Sequence, residues 1–222
     1  MKCLLCQQPI VMQWQLAQLL TTHALLLPRL CATCLRQFEA IDQAQACPGC
    51  GRADSPTLCH DCQRWVQMGE TLLHNQAVFT YNAAMKAFIQ QYKGLGDWRL
   101  HEAFSPQLQL TQRGMVLVPI PTEAKHYAVR GFDPVAGLFG HLPLKHWLHK
   151  ADTVLPQAKK DRAGRMQTPQ SFSLAAEVES GKVHTICLLD DLYTTGRTLY
   201  HAADALRAGG FSGKIISRTL IR

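Results

Sequence analysis

The sequence predicts an α/β protein in which helices flank a parallel sheet and a small cysteine-rich module comes first. Three observations support this prediction. Apolar segments of strand length alternate with amphipathic segments of helical periodicity between residues 76 and 220. Eight of the nine cysteines lie within the first 62 residues, and one apolar segment stops at two adjacent carboxylates. Because strands joined through helices pair in parallel, we expect a doubly wound sheet with its ligand at the carboxyl ends of the strands.

The cysteine-rich module contains four Cys-x-x-Cys pairs, which are Cys3/Cys6, Cys31/Cys34, Cys47/Cys50 and Cys59/Cys62. Two-residue spacing lets both thiolates of a tight turn face one ion, and two such turns complete a tetrahedral Zn²⁺ site. The sequence therefore predicts a zinc-ribbon module over residues 1–65 with two structural sites of four cysteines each. Pairing in chain order is the simplest arrangement, while an interleaved cross-brace and reduced cysteines without metal are the alternatives. We expect His60 to be exposed and the ninth cysteine, Cys187, to be a core residue.

Composition and charge limit the functional classes. The chain is 47% hydrophobic and 18% charged, which supports a packed core and argues against disorder. It has no apolar run long enough to cross a bilayer, and Cys3 and Cys6 interrupt the region where a signal peptide would be apolar. We therefore expect a cytoplasmic protein. Charges nearly cancel in residues 1–65, so most of the net charge of +7 belongs to residues 66–222 and favours an anionic partner there.

Residues 66–222 are predicted to form the α/β domain. Strand-like segments cover residues 76–81, 115–118, 151–155, 183–189 and 214–220. Helical periodicity covers residues 83–93, 98–110 and 133–147, although glycines and a proline weaken the last of these. A final helix begins near Leu199 and ends at Gly209.

The strand at residues 183–189 leads into the most informative segment. Asp190 and Asp191 follow it, and then a threonine loop, Thr194-Thr195-Gly196-Arg197-Thr198, precedes the last helix. A loop that enters a helix offers unpaired N–H groups and the positive end of the helix dipole to a phosphate. Two adjacent carboxylates need a partner such as a ribose diol or Mg²⁺. The segment predicts a ribose 5-phosphate site, and the alternative is a plain strand–turn–helix connection.

This segment resembles the signature of type I phosphoribosyltransferases. A second segment comprises Val118-Pro119-Ile120-Pro121, then Lys125 and Arg130-Gly131-Phe132-Asp133. Together with the cysteine pairs and the glycine turn at residues 92–97, it makes nearly the whole chain similar to the ComF family of competence proteins. The resemblance implies a zinc module joined to a type I phosphoribosyltransferase-like domain.

The resemblance also implies roles for individual residues toward phosphoribosyl pyrophosphate (PRPP) and Mg²⁺. The ribose and its Mg²⁺ would be bound by Asp190 and Asp191. The 5-phosphate would be bound by Thr194, Thr195, Gly196, Arg197 and Thr198. The pyrophosphate side would comprise Pro119, Ile120, Pro121, Lys125 and Arg130. Arg197, Lys125 and Arg130 also fit ordinary surface positions. Residues 156–170 are the best match for a mobile loop over the pyrophosphate.

The function that the resemblance implies is DNA uptake in natural transformation, with single-stranded DNA and a helicase-like protein as partners. Residues 145–165 are basic and include Trp147, a composition that suits a single strand but also fits a solvated loop with Trp147 in the core. Two alternatives are an active phosphoribosyltransferase in nucleotide salvage and a catalytically silent zinc-containing adaptor. Asp133-Pro134 stands where the family usually has Asn-Gln, which leaves catalytic turnover open.

Overall fold

The computed structural model of the chain describes residues 1–11, 27–110, 114–152, 170–175 and 183–222. The helices of the cysteine-rich module are α1 (Ala32–Leu35) and α2 (His60–Gln67). The strands that follow are β1 (Gln76–Phe79), β2 (Met115–Pro119), β3 (Leu148–Lys150), β4 (Phe172–Leu174), β5 (Thr185–Leu192) and β6 (Lys214–Ile221). The helical segments after the module are α3 (Ala83–Ile89), a π-helical turn (Gln90–Gly94), a 3₁₀ helix (Trp98–Glu102), α4 (Ala124–Arg130), α5 (Pro134–Leu138) and α6 (Arg197–Ala208).

A four-stranded parallel sheet in the order β1-β6-β5-β2 forms the centre of the fold. The apolar run of β5 is continuous because both faces of a parallel sheet are covered. Alternate side chains of β5 enter two cores, with Ile186 and Leu188 on one face and Cys187 and Leu189 on the other. The parallel sheet flanked by helices confirms the predicted fold class, and Cys187 is a core residue as expected.

The acidic pair is part of β5 itself. The sequence predicted that the strand stops at Leu189, but it continues to Leu192 because β6 pairs with it as far as Ile221. Strand β2 ends earlier, with Pro119 opposite Leu189. Asp190 and Asp191 therefore lie just beyond the end of β2, at the carboxyl edge of the sheet.

Two predicted helices are shorter than expected. The helix predicted over residues 133–147 is wrong beyond α5, which ends at Leu138, and the chain then turns before Gly140 and Pro143. The helix predicted over residues 98–110 is a 3₁₀ helix of five residues. The helix predicted over residues 83–93 is confirmed as α3, which continues into the π-helical turn.

Two connections also differ from the prediction. The segment between Pro121 and Phe132, for which the sequence predicted no helix, contains helix α4, capped at its end by Gly131 in the left-handed conformation. The strand expected at residues 151–155 is misplaced, because the observed strand β3 covers Leu148–Lys150. Residues 153–155 lie outside the described part of the chain. Strand β3 pairs in antiparallel fashion with β4, a hairpin that the sequence analysis missed.

The cysteine-rich module packs on both faces of the sheet. On one face, the ring of Phe38 lies 5.9 Å from that of Phe79 and 4.9 Å from that of Phe104, between centroids. On the other face, Trp65 of α2 stacks on Tyr200 of α6 at 4.1 Å. The module and the α/β domain therefore share their apolar cores. The division into domains at residues 1–65 and 66–222 stays a prediction.

Among the described residues, the helices are too short or too polar for any of them to span a bilayer.

Candidate functional site

The eight paired cysteines form two tetrads in chain order. The first tetrad is Cys3, Cys6, Cys31 and Cys34, and the second is Cys47, Cys50, Cys59 and Cys62. Within each tetrad the sulfur atoms lie within 4.8 Å of one another. A tetrahedral zinc ion with Zn–S bonds of about 2.3 Å needs sulfur separations of about 3.8 Å.

The measured separations fit that requirement. The Sγ atoms of Cys6 and Cys31 are 3.7 Å apart, and those of Cys50 and Cys59 are 3.5 Å apart. Either tetrad could hold a zinc ion, and the grouping follows chain order rather than a cross-brace. His60 is exposed and belongs to neither tetrad, as predicted.

The second tetrad is buried, and a positively charged side chain donates hydrogen bonds to one of its sulfur atoms. The Cys59 amide donates to the Cys47 Sγ at 3.3 Å, a contact typical of zinc knuckles. The Arg222 guanidinium donates to the Cys50 Sγ through Nε at 3.2 Å and Nη2 at 3.3 Å. The pKa of Cys50 falls to about 4, because hydrogen bonding with Cys62 and the Arg222 charge outweigh the effect of burial. These contacts favour thiolate, the form that binds metal, at Cys50, while hydrogen bonding with Cys50 raises the pKa of Cys62.

The acidic pair lies in a nearly closed environment. Asp190 is 7% exposed and Asp191 is 5% exposed. The Asp191 amide donates to the Asp190 Oδ1 at 2.9 Å, so the Asp190 carboxylate lies against the backbone of its own strand. The Lys93 ammonium, from the π-helical turn, contacts the Asp191 Oδ2 at 2.7 Å. The pair therefore has an internal cation that the sequence analysis did not assign to it.

The two carboxyls titrate in opposite directions. Burial raises the pKa of Asp190 well above its ordinary value, and the charge of Asp191 raises it further. Burial also acts on Asp191, but the Lys93 ammonium outweighs it and lowers the pKa of that carboxyl. The pair thus favours an ionised Asp191 beside a protonated Asp190. A divalent cation would favour full ionisation, because it supplies the missing positive charge.

The threonine loop (residues 194–198) enters the twelve-residue helix α6. Gly196 has φ +85°, and a Cβ there would lie 2.6 Å from the Tyr193 ring carbon that carries the hydroxyl. Only glycine fits this turn without displacing Tyr193. The Thr195 Oγ1 accepts from the Arg197 amide at 3.4 Å. The loop therefore brings hydroxyl residues and a helix N-terminus together, as the prediction for a phosphate requires.

The loop is supported from outside its own segment. The Trp65 Nε1 donates to the Thr195 carbonyl at 2.9 Å. The Arg222 Nη1 donates to the carbonyls of Tyr193 at 3.3 Å and Thr194 at 3.0 Å. Three successive carbonyl groups, those of Tyr193, Thr194 and Thr195, therefore accept hydrogen bonds from side chains distant in sequence.

The turn at Pro119–Pro121 lies beside the acidic pair. The Ile120 amide donates to the Leu189 carbonyl at 2.8 Å, which places the turn next to the end of β5. The Arg130 Nε donates to the Lys93 carbonyl at 3.0 Å. Because Lys93 also binds Asp191, this contact links the predicted pyrophosphate side with the predicted ribose side.

Lys125, which was predicted to lie on the pyrophosphate side, forms an ion pair with Glu123. Its ammonium lies 3.3 Å from the Glu123 Oε2, and the Lys150 ammonium lies 3.4 Å from the other oxygen of the same carboxylate. Glu123 is buried, so these cations offset the cost of burying its charge. Lys125 therefore faces a carboxylate in this structure.

A cavity of about 970 Å³ opens on the predicted pyrophosphate side. Its lining includes Pro121 and Arg130, the exposed aromatic residues Trp98 and Tyr127, and the cation Lys150. The acidic pair and the threonine loop are not among the described residues that line it. The cavity thus extends the candidate site away from β5, toward α4 and the β3–β4 hairpin.

Two curated proteins match this chain over nearly its whole length. The chain is 36% identical to the competence protein ComFC of Streptococcus pneumoniae (strain ATCC BAA-255 / R6), over 95% of each sequence. It is 33% identical to the competence protein ComFC of Bacillus subtilis (strain 168), over 99% of this chain and 94% of that protein. The chain belongs to the ComF family of competence proteins. No family model matches it.

Membership of the ComF family confirms the resemblance that the motifs indicated and supports a competence-related role. The structure adds to the site three residues that the sequence analysis did not assign to it: Lys93, Trp65 and Arg222. Lys93 lies in the glycine turn at residues 92–97, which the motif analysis had singled out without giving the lysine a role. Trp65 and Arg222 carried no local signal, because their partners are distant in sequence.

Part of the predicted single-strand segment is corrected. Trp147 is 7% exposed and packs in the core, so it cannot stack on a base. Residues 153–169 lie outside the described residues, and with them most of the candidate mobile loop at residues 156–170.

Proposed function

We propose that this ComF protein is a DNA-uptake factor whose α/β domain binds PRPP, or a related ribose phosphate, together with Mg²⁺. The observation that carries the proposal is the buried pair Asp190 and Asp191 at the carboxyl edge of the sheet, followed directly by a glycine-containing loop that opens α6. This is the edge at which parallel sheets bind ligands.

Each group has a defined task in the proposed complex. Asp190 and Asp191 would accept hydrogen bonds from the ribose hydroxyls and hold Mg²⁺, whose charge would stabilise the pyrophosphate. The threonine loop would bind the 5-phosphate through its amides and hydroxyls. The turn at Pro119–Pro121 would lie along the pyrophosphate, with Arg130 as the cation on that side. The protein would act by positioning and charge neutralisation, so no nucleophilic side chain is required.

Calorimetric titration with PRPP and Mg²⁺ tests this proposal. The wild type should bind, and the double variant Asp190→Asn/Asp191→Asn should bind at least about tenfold more weakly, since it loses both charges that hold Mg²⁺. Asp204→Asn is the matched control, because Asp204 is exposed on α6, and it should bind like the wild type. Absence of binding to the zinc-loaded wild type would refute the ribose-phosphate site and favour the catalytically silent adaptor.

The cavity supports the second part of the proposal, contact with single-stranded DNA. Trp98 is 46% exposed and Tyr127 is 52% exposed, and both line the cavity. Arg130 lines it as well, along with two histidines, whereas Lys150 in the same lining is paired with Glu123. Aromatic faces beside cations suit a single strand, since bases stack on the rings and phosphates pair with the charges.

Oligonucleotide titrations at several salt concentrations test the DNA part. Affinity should fall steeply with salt, and Trp98→Ala should weaken binding by about 1–3 kcal/mol if a base stacks there. Tyr81→Ala is the control, because Tyr81 is similarly exposed but lies beyond the end of β1. Equal affinity of both variants would remove the cavity from the DNA-binding surface.

Salvage activity is the competing function for the same site. It predicts that one nucleobase releases pyrophosphate from PRPP in the presence of this protein. The DNA-uptake proposal predicts instead that transformation depends on Asp190 and Asp191. It also predicts that the protein works in the cytoplasm with a helicase-like partner. Normal transformation by a strain carrying Asp190→Asn/Asp191→Asn would refute the dependence of uptake on this site.

A further inference from the structure

The second tetrad and the threonine loop share one arginine. The Arg222 guanidinium donates to the Cys50 sulfur through Nε at 3.2 Å and Nη2 at 3.3 Å. Its remaining nitrogen donates to the carbonyls of Tyr193 at 3.3 Å and Thr194 at 3.0 Å. A guanidinium is planar and rigid, so one inflexible group contacts both the sulfur and the two carbonyls.

A tryptophan makes a second link between the same two places. Trp65 follows Cys62 by one helical turn on α2, so displacement of the ligand moves the indole. The indole Nε1 donates to the Thr195 carbonyl at 2.9 Å, and its ring stacks on Tyr200 at 4.1 Å. Trp65 is 1% exposed, which leaves it little room to adopt another rotamer.

The packing around these links is tight. The guanidinium carbon of Arg222 lies 4.8 Å from the Tyr193 ring centroid, and the same ring closes against Gly196. The Arg222 Nη2 also lies 3.4 Å from the Asp61 Oδ2, which itself is bound by Arg52 at 2.6 Å. Arg222 therefore has anionic partners in the cysteine-rich module and carbonyl partners in the loop region.

We propose that Arg222 and Trp65 are positioning residues that couple zinc occupancy of the second tetrad to the ligand-binding conformation of the threonine loop. Zinc holds the four sulfur atoms at fixed separations and so fixes Cys50 and the start of α2. Loss of zinc releases Cys50 and the start of α2 together. The loop carbonyls then lose Arg222 and Trp65 as their hydrogen-bond donors. Coupling between two binding sites is reciprocal, so a ligand on the loop also strengthens zinc binding by the same factor.

The first tetrad provides an internal control. It packs with Phe38 and Phe104 on the opposite face of the sheet from Trp65 and Tyr200. Its Cys6 is exposed, whereas all four cysteines of the second tetrad are buried. Loss of zinc from the first tetrad should therefore leave the threonine loop unchanged.

Hydrogen exchange of the zinc-loaded protein, with all of residues 1–222 present, tests the coupling without any phosphate ligand. Arg222→Gln keeps every zinc ligand and should speed exchange of the Tyr193 and Tyr200 amides, which donate to the carbonyls of Ile221 and Gly196 at the two ends of the loop, at least about tenfold, because the loop opens locally when its donors are lost. Cys62→Ser should do the same, while Cys6→Ser and Arg64→Gln, at an exposed arginine of α2, should not. Two bound zinc ions in Arg222→Gln, measured by elemental analysis, would show that the tetrads are intact. Unchanged loop exchange in this variant would overturn the proposal.

A second experiment measures the reciprocal effect, and this part rests on the proposed function. PRPP with Mg²⁺ should slow zinc transfer from the wild type to a chromogenic chelator, for one ion of the two, at least about threefold. Arg222→Gln should lose this protection. If PRPP does not bind the wild type, the proposed function fails while the exchange experiment still decides the coupling. If PRPP binds but zinc release keeps its rate, the coupling fails and the ribose-phosphate site stands.

Discussion

The Lys93 ammonium lies 2.7 Å from the Asp191 Oδ2, and the Lys93 carbonyl accepts from the Arg130 Nε at 3.0 Å. One residue of a π-helical turn thus joins the acidic pair to α4. Single-turn π-helices are frequent at functional sites. Here the turn directs a cation toward two buried carboxylates, so Lys93 sets the charge of the pair before any ligand binds.

Replacement of Lys93 by methionine should therefore weaken ligand binding in a pH-dependent way. Without the ammonium, burial raises the pKa of Asp191, and the pair loses charge at neutral pH. We expect PRPP and Mg²⁺ to bind roughly tenfold more weakly at about pH 7, a loss of about 1.4 kcal/mol, with a smaller loss at about pH 8.5. Calorimetry at both pH values measures this, with Lys86→Met on the exposed side of α3 as the control. A loss that is the same at both pH values would contradict the role assigned to Lys93.

Gly196 allows the sharp turn of the threonine loop, and alanine should not be tolerated there. The left-handed backbone costs an alanine about 1 kcal/mol, and the collision of its Cβ with Tyr193 adds to that cost. Gly210→Ala is the matched control, since Gly210 has φ +90° and a Cβ added there would meet nothing within 4 Å. Urea unfolding should show that Gly196→Ala destabilises the protein by at least about 1 kcal/mol more than Gly210→Ala. Equal losses would mean that Tyr193 moves aside easily.

The parts of the site that could be predicted from the sequence are those encoded locally. The acidic pair follows an apolar run, and the threonine loop precedes a helical pattern, so the order of strand, acidic pair, loop and helix over residues 183–209 could be predicted, although β5 continues to Leu192. The cysteine pairs are likewise local turns, which is why the tetrads and their grouping in chain order could be predicted, although only the structure excludes the cross-brace. The sequence was therefore sufficient to predict those site residues whose contacts are with residues nearby in the chain.

The residues that the sequence analysis missed act across long separations. Lys93 and Asp191 are 98 residues apart, and Arg222 and Cys50 are 172 residues apart. No periodicity reports such contacts, because they depend on how the module and the sheet pack together. The failed helix over residues 133–147 has a related cause. Gly137 lies against Tyr92 and Trp98, so this glycine serves tertiary packing rather than helix length.

The two tetrads should differ in how readily they lose metal. Cys6 is exposed in the first tetrad, while the second tetrad is buried behind Trp65 and Arg222. A chelator should therefore remove one zinc ion at least about tenfold faster than the other. Elemental analysis should find two zinc ions in the wild type and one in Cys6→Ser, and the ion left in that variant should be the slow one. A single release rate for both ions would contradict this difference in access.

His201 should make the protein sensitive to acid. It is 4% exposed on α6, and burial, aided by the charge of Arg197, lowers its pKa to about 4. The unfolded chain, with a histidine pKa of about 6.5, binds this proton more readily than the folded chain. The contribution of the neutral His201 to the free energy of unfolding is thus fully present above about pH 6.5. It falls by up to about 3 kcal/mol as the pH drops toward about 4. Urea unfolding between about pH 7.5 and about pH 4.5 should show a shallower decline for His201→Gln than for the wild type. His184→Gln, at an exposed histidine, should decline like the wild type, and parallel curves for all three proteins would exclude His201 as the source of the acid sensitivity.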